Sequence, residues 1–166
     1  MSIYSESNAQ FIHGLTNLSA ILEKAATWAK ENGKSEESLL TAALAADMYP
    51  LVRQVQITTD MAKRAVARLA NVDAPVMEDN ETTIAQLQAR IKATTVFMQG
   101  VSDAQLDGDD ERPIVVMARD HELRFTAHSY VYKFATPNFY FHFTTAYDIL
   151  RQAGVPLGKR DFVGPF

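Results

Sequence analysis

The most constraining feature of this chain is a helical period that returns in segment after segment. Phe11, Leu15, Leu18, Leu22, Ala25 and Ala29 alternate in steps of four and three, which lines one apolar stripe along a helix. Leu51, Val55, Thr58, Ala62, Val66 and Leu69 repeat the pattern after Pro50, a residue whose missing N–H costs little in a first turn. Ile84, Leu87, Ile91, Thr94, Met98 and Val101 give a third stripe in strict heptad spacing. Each stripe must be buried against another element, so the pattern predicts helices packed on helices.

The punctuation between stripes is consistent with this. Ser7 and Gln10 form a capping-box pattern for the first helix, and Asn32-Gly33 ends it with a residue at ease in the left-handed conformation. Ser35-Glu-Glu-Ser38 starts a short helix expected to run through Leu44. Residues 71–81, NVDAPVMEDNE, read as a connection; Thr83 and Gln86 cap the third helix, which stops between Gly100 and Ser102. Gln54 is the one polar residue of the second helix beside its apolar face, while Arg53, Asp60, Lys63 and Arg64 fall mostly off it.

The period then shortens. After the polar loop Asp107–Arg112, the segments Ile114–Met117 and Glu122–Thr126 flank Ala118-Arg-Asp-His121, a β-hairpin pattern with Leu123 and Phe125 on one face. A last helical segment starts near Ala127 or Ser129, with Pro137 kinking or restarting it. From Asn138 to Ala153 it is apolar nearly all round, with Phe139, Phe143, Ala146 and Leu150 on one face and Tyr140, Phe141, Tyr147 and Ile149 over much of the rest. Such a helix is buried on more than one side. Its second side needs the hairpin, the tail ending in Phe162 and Phe166, or another copy of the chain. Gly154 and Pro156 terminate it. The expected fold is all-α: an up-and-down four-helix bundle in a single domain over residues 1–166, with a small β-hairpin inserted before the last helix.

Composition narrows the function classes. The 166 residues carry a formal net charge of −4 with no cluster of Lys and Arg, which argues against nucleic acid or an anionic membrane as partner. There is no cysteine, so disulfides, thiolate metal sites and a cysteine nucleophile are excluded. MSIYSESNAQ has no signal-peptide character and no stretch reaches the ~20 apolar residues of a membrane span, so a cytoplasmic location is expected.

Glycine-rich phosphate loops, GxSxG and HExxH are all missing, and no Glu-x-x-His array of the di-iron kind occurs. What remains is Asn138-x-x-x-His142, two side chains one turn apart on one helix face. On spacing alone His142 is either a ligand in a site or a histidine packed into a core. His13 and His121 are expected to be solvated.

The stretches QFIHGLTNLSAILEKA, DMYPLVRQVQ, ARLANVDAP and PNFYFHFTTAYDILRQAGVPLGKRDF resemble a domain family of unknown function within the DinB/YfiT-like metalloenzyme superfamily, and the resemblance covers almost the whole chain. It implies an up-and-down four-helix bundle, a homodimer and, in many members, a divalent metal held by three histidines. One of these comes from the second helix and two are spaced HxxxH on the last; relatives include mycothiol- and bacillithiol-dependent transferases and isomerases. Carried over through the segment ending at Gly154, His142 matches the second histidine of HxxxH, and Asn138 stands at the first. No histidine lies between Met48 and Asn71, where Gln54 is the nearest inner polar residue. One expected ligand of three is therefore present, and amides are poor ligands for Zn²⁺ or Ni²⁺.

Two expectations follow. In the first, Gln54, Asn138 and His142, with the hydroxyl of Tyr147 or Tyr140, line a pocket in a homodimer that binds a small molecule or is purely structural. In the second, His142 is the metal ligand of a divalent-metal-dependent hydrolase or thiol transferase. His128 lies about 15 Å from Asn138 along a continuous helix, too far to join either site unless Pro137 breaks it.

Overall fold

The three apolar stripes fold as expected in a computed structural model that describes residues 2–118 and 120–165. The first forms α1 (Ile3–Glu31), the second α3 (Leu51–Ala70) and the third α4 (Ile84–Gln99). Between them lies α2 (Glu36–Leu40), which starts at the predicted Ser35 but stops four residues short of Leu44. A one-turn helix, α5 (Asp103–Leu106), precedes the hairpin β1 (Pro113–Ala118) and β2 (His121–Thr126). The chain then continues as α6 (Ala127–Tyr130), a π-helical turn over Val131–Ala135, α7 (Thr136–Gln152) and the short α8 (Lys159–Val163). The protein is thus mostly helical, with one two-stranded antiparallel hairpin before its last long helix.

The start of α1 corrects the sequence reading. Its N-cap is Ser2, whose hydroxyl accepts from the Tyr4 and Ser5 N–H groups, and Ser5 closes the reciprocal capping box. Ser7 is inside the helix and donates to the Ile3 carbonyl instead. Burial explains the extra turn. Tyr4 is 1% exposed, its hydroxyl donates to Asp110 at 2.5 Å, and the Arg112 guanidinium lies 4.6 Å from its ring centre. The predicted C-terminus holds, with Gly33 at φ 62°.

The long helices neighbour one another in a closed ring: α1 packs on α4, α4 on α3, α3 on α7 and α7 on α1. The most extensive of these interfaces is α3 on α7. The α1–α7 interface is close enough that a Cβ on Gly14 would lie 2.9 Å from the Phe139 ring. The predicted stripes fill the middle; Leu15, Leu18, Leu51, Val55, Leu87, Phe139 and Leu150 are fully buried.

The hairpin pairs Ile114 with Phe125 and Val116 with Leu123, putting both pairs on the helix side. Of its predicted turn, Arg119 lies outside the described residues. The tail folds back on its own chain. Phe162 stacks on Phe143 at 4.3 Å, Asp161 pairs with Lys24, and the Phe162 carbonyl accepts from Asn17. Phe166, expected to share this role, lies outside the described residues. Pro137 does not break the last helix: the π-turn widens the backbone just before it, and helical structure runs on through both.

Candidate functional site

Gln54 sits three residues after Leu51 and four before Thr58, so the helical period turns it inward, and it is 1% exposed. Its amide has a single orientation. Nε2 donates to the Tyr49 carbonyl at 3.0 Å, which leaves Oε1 as the acceptor toward α7. The side chain it meets is His142, whose Nδ1 lies 2.7 Å from that oxygen.

This contact fixes the imidazole. An amide oxygen only accepts, so Nδ1 carries the proton. Burial, and then the positive charge of Arg53, hold the His142 pKa below its ordinary value of 6.5. The neutral ring therefore keeps its lone pair on Nε2, for which no described group is a partner. The chain of dependence is short: the Tyr49 carbonyl orients the Gln54 amide, the amide selects the His142 tautomer, and Nε2 remains an acceptor or base.

The surroundings add aromatic surface and charge. Phe141 meets the His142 ring edge-on at 5.1 Å and is 56% exposed, and Tyr49 is 55% exposed. Arg53 lies 6.0 Å from the Tyr49 ring centre, hydrogen-bonds Gln56 at 3.1 Å and pairs with Asp79. His142 itself is half-buried, beside the exposed Phe141.

The other sequence candidates are placed elsewhere. Asn138 turns its amide to the Phe134 carbonyl at 2.6 Å, inside the backbone of its own helix, and makes no hydrogen bond to His142. Tyr147 meets Phe162 at 5.7 Å, on the side of α7 covered by the tail. Tyr140 lines a different cleft, beside α1. His128 lies with its ring tilted against that of Tyr132, 4.9 Å between centres. His13 is on the surface, as expected, but its Nε2 meets the Val163 carbonyl at 2.7 Å.

These donors do not add up to a metal site. Among the described residues no group of three or more His, Asp or Glu side chains is placed to hold one. Around His142 the Gln54 oxygen is committed to Nδ1 and the Asn138 Nδ2 to Phe134, leaving the His142 Nε2 and at most one amide oxygen, a feeble metal ligand. That set does not fit a divalent metal centre, which needs three or four protein donors.

Sequence reasoning missed a second polar cluster, between α3 and α4. Arg90 is almost wholly enclosed and donates to Thr59 at 2.7 Å, to Asp60 and Glu81 at 2.9 Å each, and to the Glu78 carbonyl at 3.2 Å, and it also pairs with Asp79 at 3.0 Å. Asp60 accepts further from Lys63 at 2.9 Å and Arg64 at 3.0 Å, and Gln56 donates to Glu81 at 2.8 Å. Burial opposes charge on both Arg90 and Asp79. The facing carboxylates nevertheless raise the Arg90 pKa, and Arg53 with Arg90 hold that of Asp79 below the carboxylate range. A signal was available: Leu87, Arg90, Ile91 and Thr94 stand at i, i+3, i+4 and i+7, so Arg90 lies on the buried stripe itself.

Comparison with known proteins agrees with this architecture. The crystal structure of a DinB family member protein from Shewanella denitrificans matches with a TM-score of 0.89 and 38% sequence identity, over 99% of this chain and 93% of that one. No curated protein matches the chain. A family model described as "Domain of unknown function (DUF1993)" matches residues 3–163, nearly the whole fold described above, and the chain belongs to that family.

Proposed function

We propose that this protein is an up-and-down four-helix bundle of the DinB kind that forms a homodimer and binds a small organic ligand at His142 without a metal. The observation that carries this reading is the held tautomer: the Gln54 amide oxygen accepts from Nδ1–H and leaves a neutral imidazole with Nε2 free. A histidine serving only to fill space has both nitrogens satisfied or is simply exposed; here one side is fixed by a buried amide and the other is open. The ligand would bring a hydrogen-bond donor such as a hydroxyl or thiol to Nε2 and lay apolar surface on Phe141 and Tyr49. A second copy covering these two exposed rings would turn the helix surface into a pocket.

The runner-up is a divalent-metal-dependent hydrolase or thiol transferase. It has one supporting observation, since metal-bound histidines also donate their second nitrogen to an oxygen acceptor. The donor set described above does not complete it.

The experiment is metal analysis of untagged protein before and after incubation with Zn²⁺ or Ni²⁺, beside ¹⁵N NMR of the imidazole. The expected result is no stoichiometric metal and an Nδ1–H tautomer that persists in a dimer by light scattering. Stoichiometric metal that disappears in His142→Ala would overturn the reading and restore the metalloenzyme. A monomer would remove the dimer.

A further inference from the structure

The junction of α1 and α7 holds a cleft of about 350 Å³, lined by Ile3, Glu6, Gln10, Tyr132, Pro137 and Tyr140 among others. One wall of it is the π-turn. There the Thr136 N–H reaches back to the Val131 carbonyl, one residue further than in an α-helix. The next residue, Pro137, has no N–H to give. The Tyr132 carbonyl, which would take Thr136 in an α-helix or residue 137 in a π-helix, is therefore left without a helical donor. The Thr136 hydroxyl makes no bond back to it, and the side-chain amide of Asn138 is used on Phe134. A helical carbonyl points along the axis toward the residue four or five positions on. The residues on either side of it, Tyr132, Thr136 and Pro137, all line the cleft.

Three more groups on residues that line the cleft have no described partner: the Glu6 carboxylate, the Gln10 amide and the Tyr140 hydroxyl. Burial raises the Tyr140 pKa, so the phenol stays neutral. Among the described residues no Lys, Arg or His lines the cleft, and the one charge is the Glu6 carboxylate. The N–H groups at the start of α1 do not reverse this balance, because Ser2 caps them and hydrogen-bonds Asp107. Ile3, Val131 and the Pro137 ring supply apolar surface beside the acceptors.

We propose that this cleft is a second binding site, for a small amphipathic cation of the primary ammonium class. Its N–H groups would meet the orphaned Tyr132 carbonyl and the Glu6 carboxylate, its charge would lie against the Tyr132 and Tyr140 rings, and its carbon chain would run along Ile3 and Val131. The site is separate from His142 and does not depend on the function assigned there.

The probes are ethyl-, butyl- and hexylammonium, with hexanoate as the anion of matching shape, titrated against the full chain by ¹H–¹⁵N NMR at the Gln10, Tyr132 and Thr136 amides. Affinity should rise with chain length, and hexylammonium should bind at least about tenfold more tightly than hexanoate. Glu6→Gln, at an exposed position, should weaken it severalfold. Pro137→Ala supplies the missing N–H and should do the same by occupying the carbonyl. His142→Ala should leave it unchanged. Equal binding of hexanoate, no binding of hexylammonium, or undiminished affinity in Glu6→Gln would overturn the proposal. The Glu6 variant keeps it testable should Pro137→Ala disturb the helix.

Discussion

Helix α3 carries a polar site on each of two sides, and the two differ in completeness. Toward α4, Arg90 meets Asp60, Glu81, Asp79, Thr59 and a backbone carbonyl, so that each charge in the cluster faces an opposite one. Toward α7, Gln54 and His142 make one good hydrogen bond and leave one nitrogen over. Buried polar groups normally satisfy one another, and a set that does so fully has nothing left to offer a ligand. The saturated site therefore locks helices and loop together, while the unsaturated one keeps chemistry available. Charge content alone ranks them the wrong way round, since the richer cluster is the inert one.

This contrast is broken most directly at Arg90. Arg90→Ala takes one of three cations from Asp60 and leaves Glu81 with only the Gln56 amide, and should cost about 3–5 kcal/mol in denaturant unfolding. A loss of well under 1 kcal/mol would mean the cluster is not structural. Gln54→Leu should cost less, about 1–3 kcal/mol, because the Tyr49 carbonyl and the His142 Nδ1–H both lose their partner. It should also release the tautomer, visible as mixed Nδ1 and Nε2 protonation by ¹⁵N NMR. His142→Ala should cost about 1 kcal/mol, since the ring is only half-buried, yet should abolish the ligand binding proposed for this site.

Acid sharpens the same distinction. With its pKa held below the ordinary value, His142 favours folding in the neutral form. Its contribution is complete above about pH 6.5 and is lost as pH falls through the lower, folded value. Stability measured across that window should fall in the wild type by more than in His142→Ala. Parallel curves would show that the imidazole is not held neutral. The smallest effect belongs to the exposed hairpin pair Arg124–Glu122, where Arg124→Ala should change stability by less than about 0.5 kcal/mol.

Which parts of this were legible in the sequence follows from what each part depends on. The helix stripes and the hairpin depend on local periodicity, and they could be read directly. Gln54 was found because its place beside the stripe is set by counting from Leu51 and Thr58. Arg90 obeys the same count and was passed over, because a charged residue in a heptad run reads as a solvated one. Asn138 failed for another reason: spacing places it one turn from His142, but the nearest acceptor for its amide is in its own backbone, at Phe134. The true start of α1 depends on Asp107 and Asp110, more than a hundred residues away, and no local capping pattern contains them. The π-turn likewise leaves no mark beyond Pro137 itself.

The connection from Asn71 to Thr83 has no regular structure, yet Asp79 and Glu81 within it are gripped by Arg53 and Arg90. Its ion-paired anchors lie in the second half, and the first is held by the helix-end bond from the Val72 N–H to the Ala67 carbonyl; Val76, between them, is 96% exposed. A protease would therefore cut near Ala74–Val76 without touching the grip. The nicked protein should stay whole on a sizing column and separate only in denaturant, and two fragments expressed apart, divided at that point, should find each other and rebuild the fold.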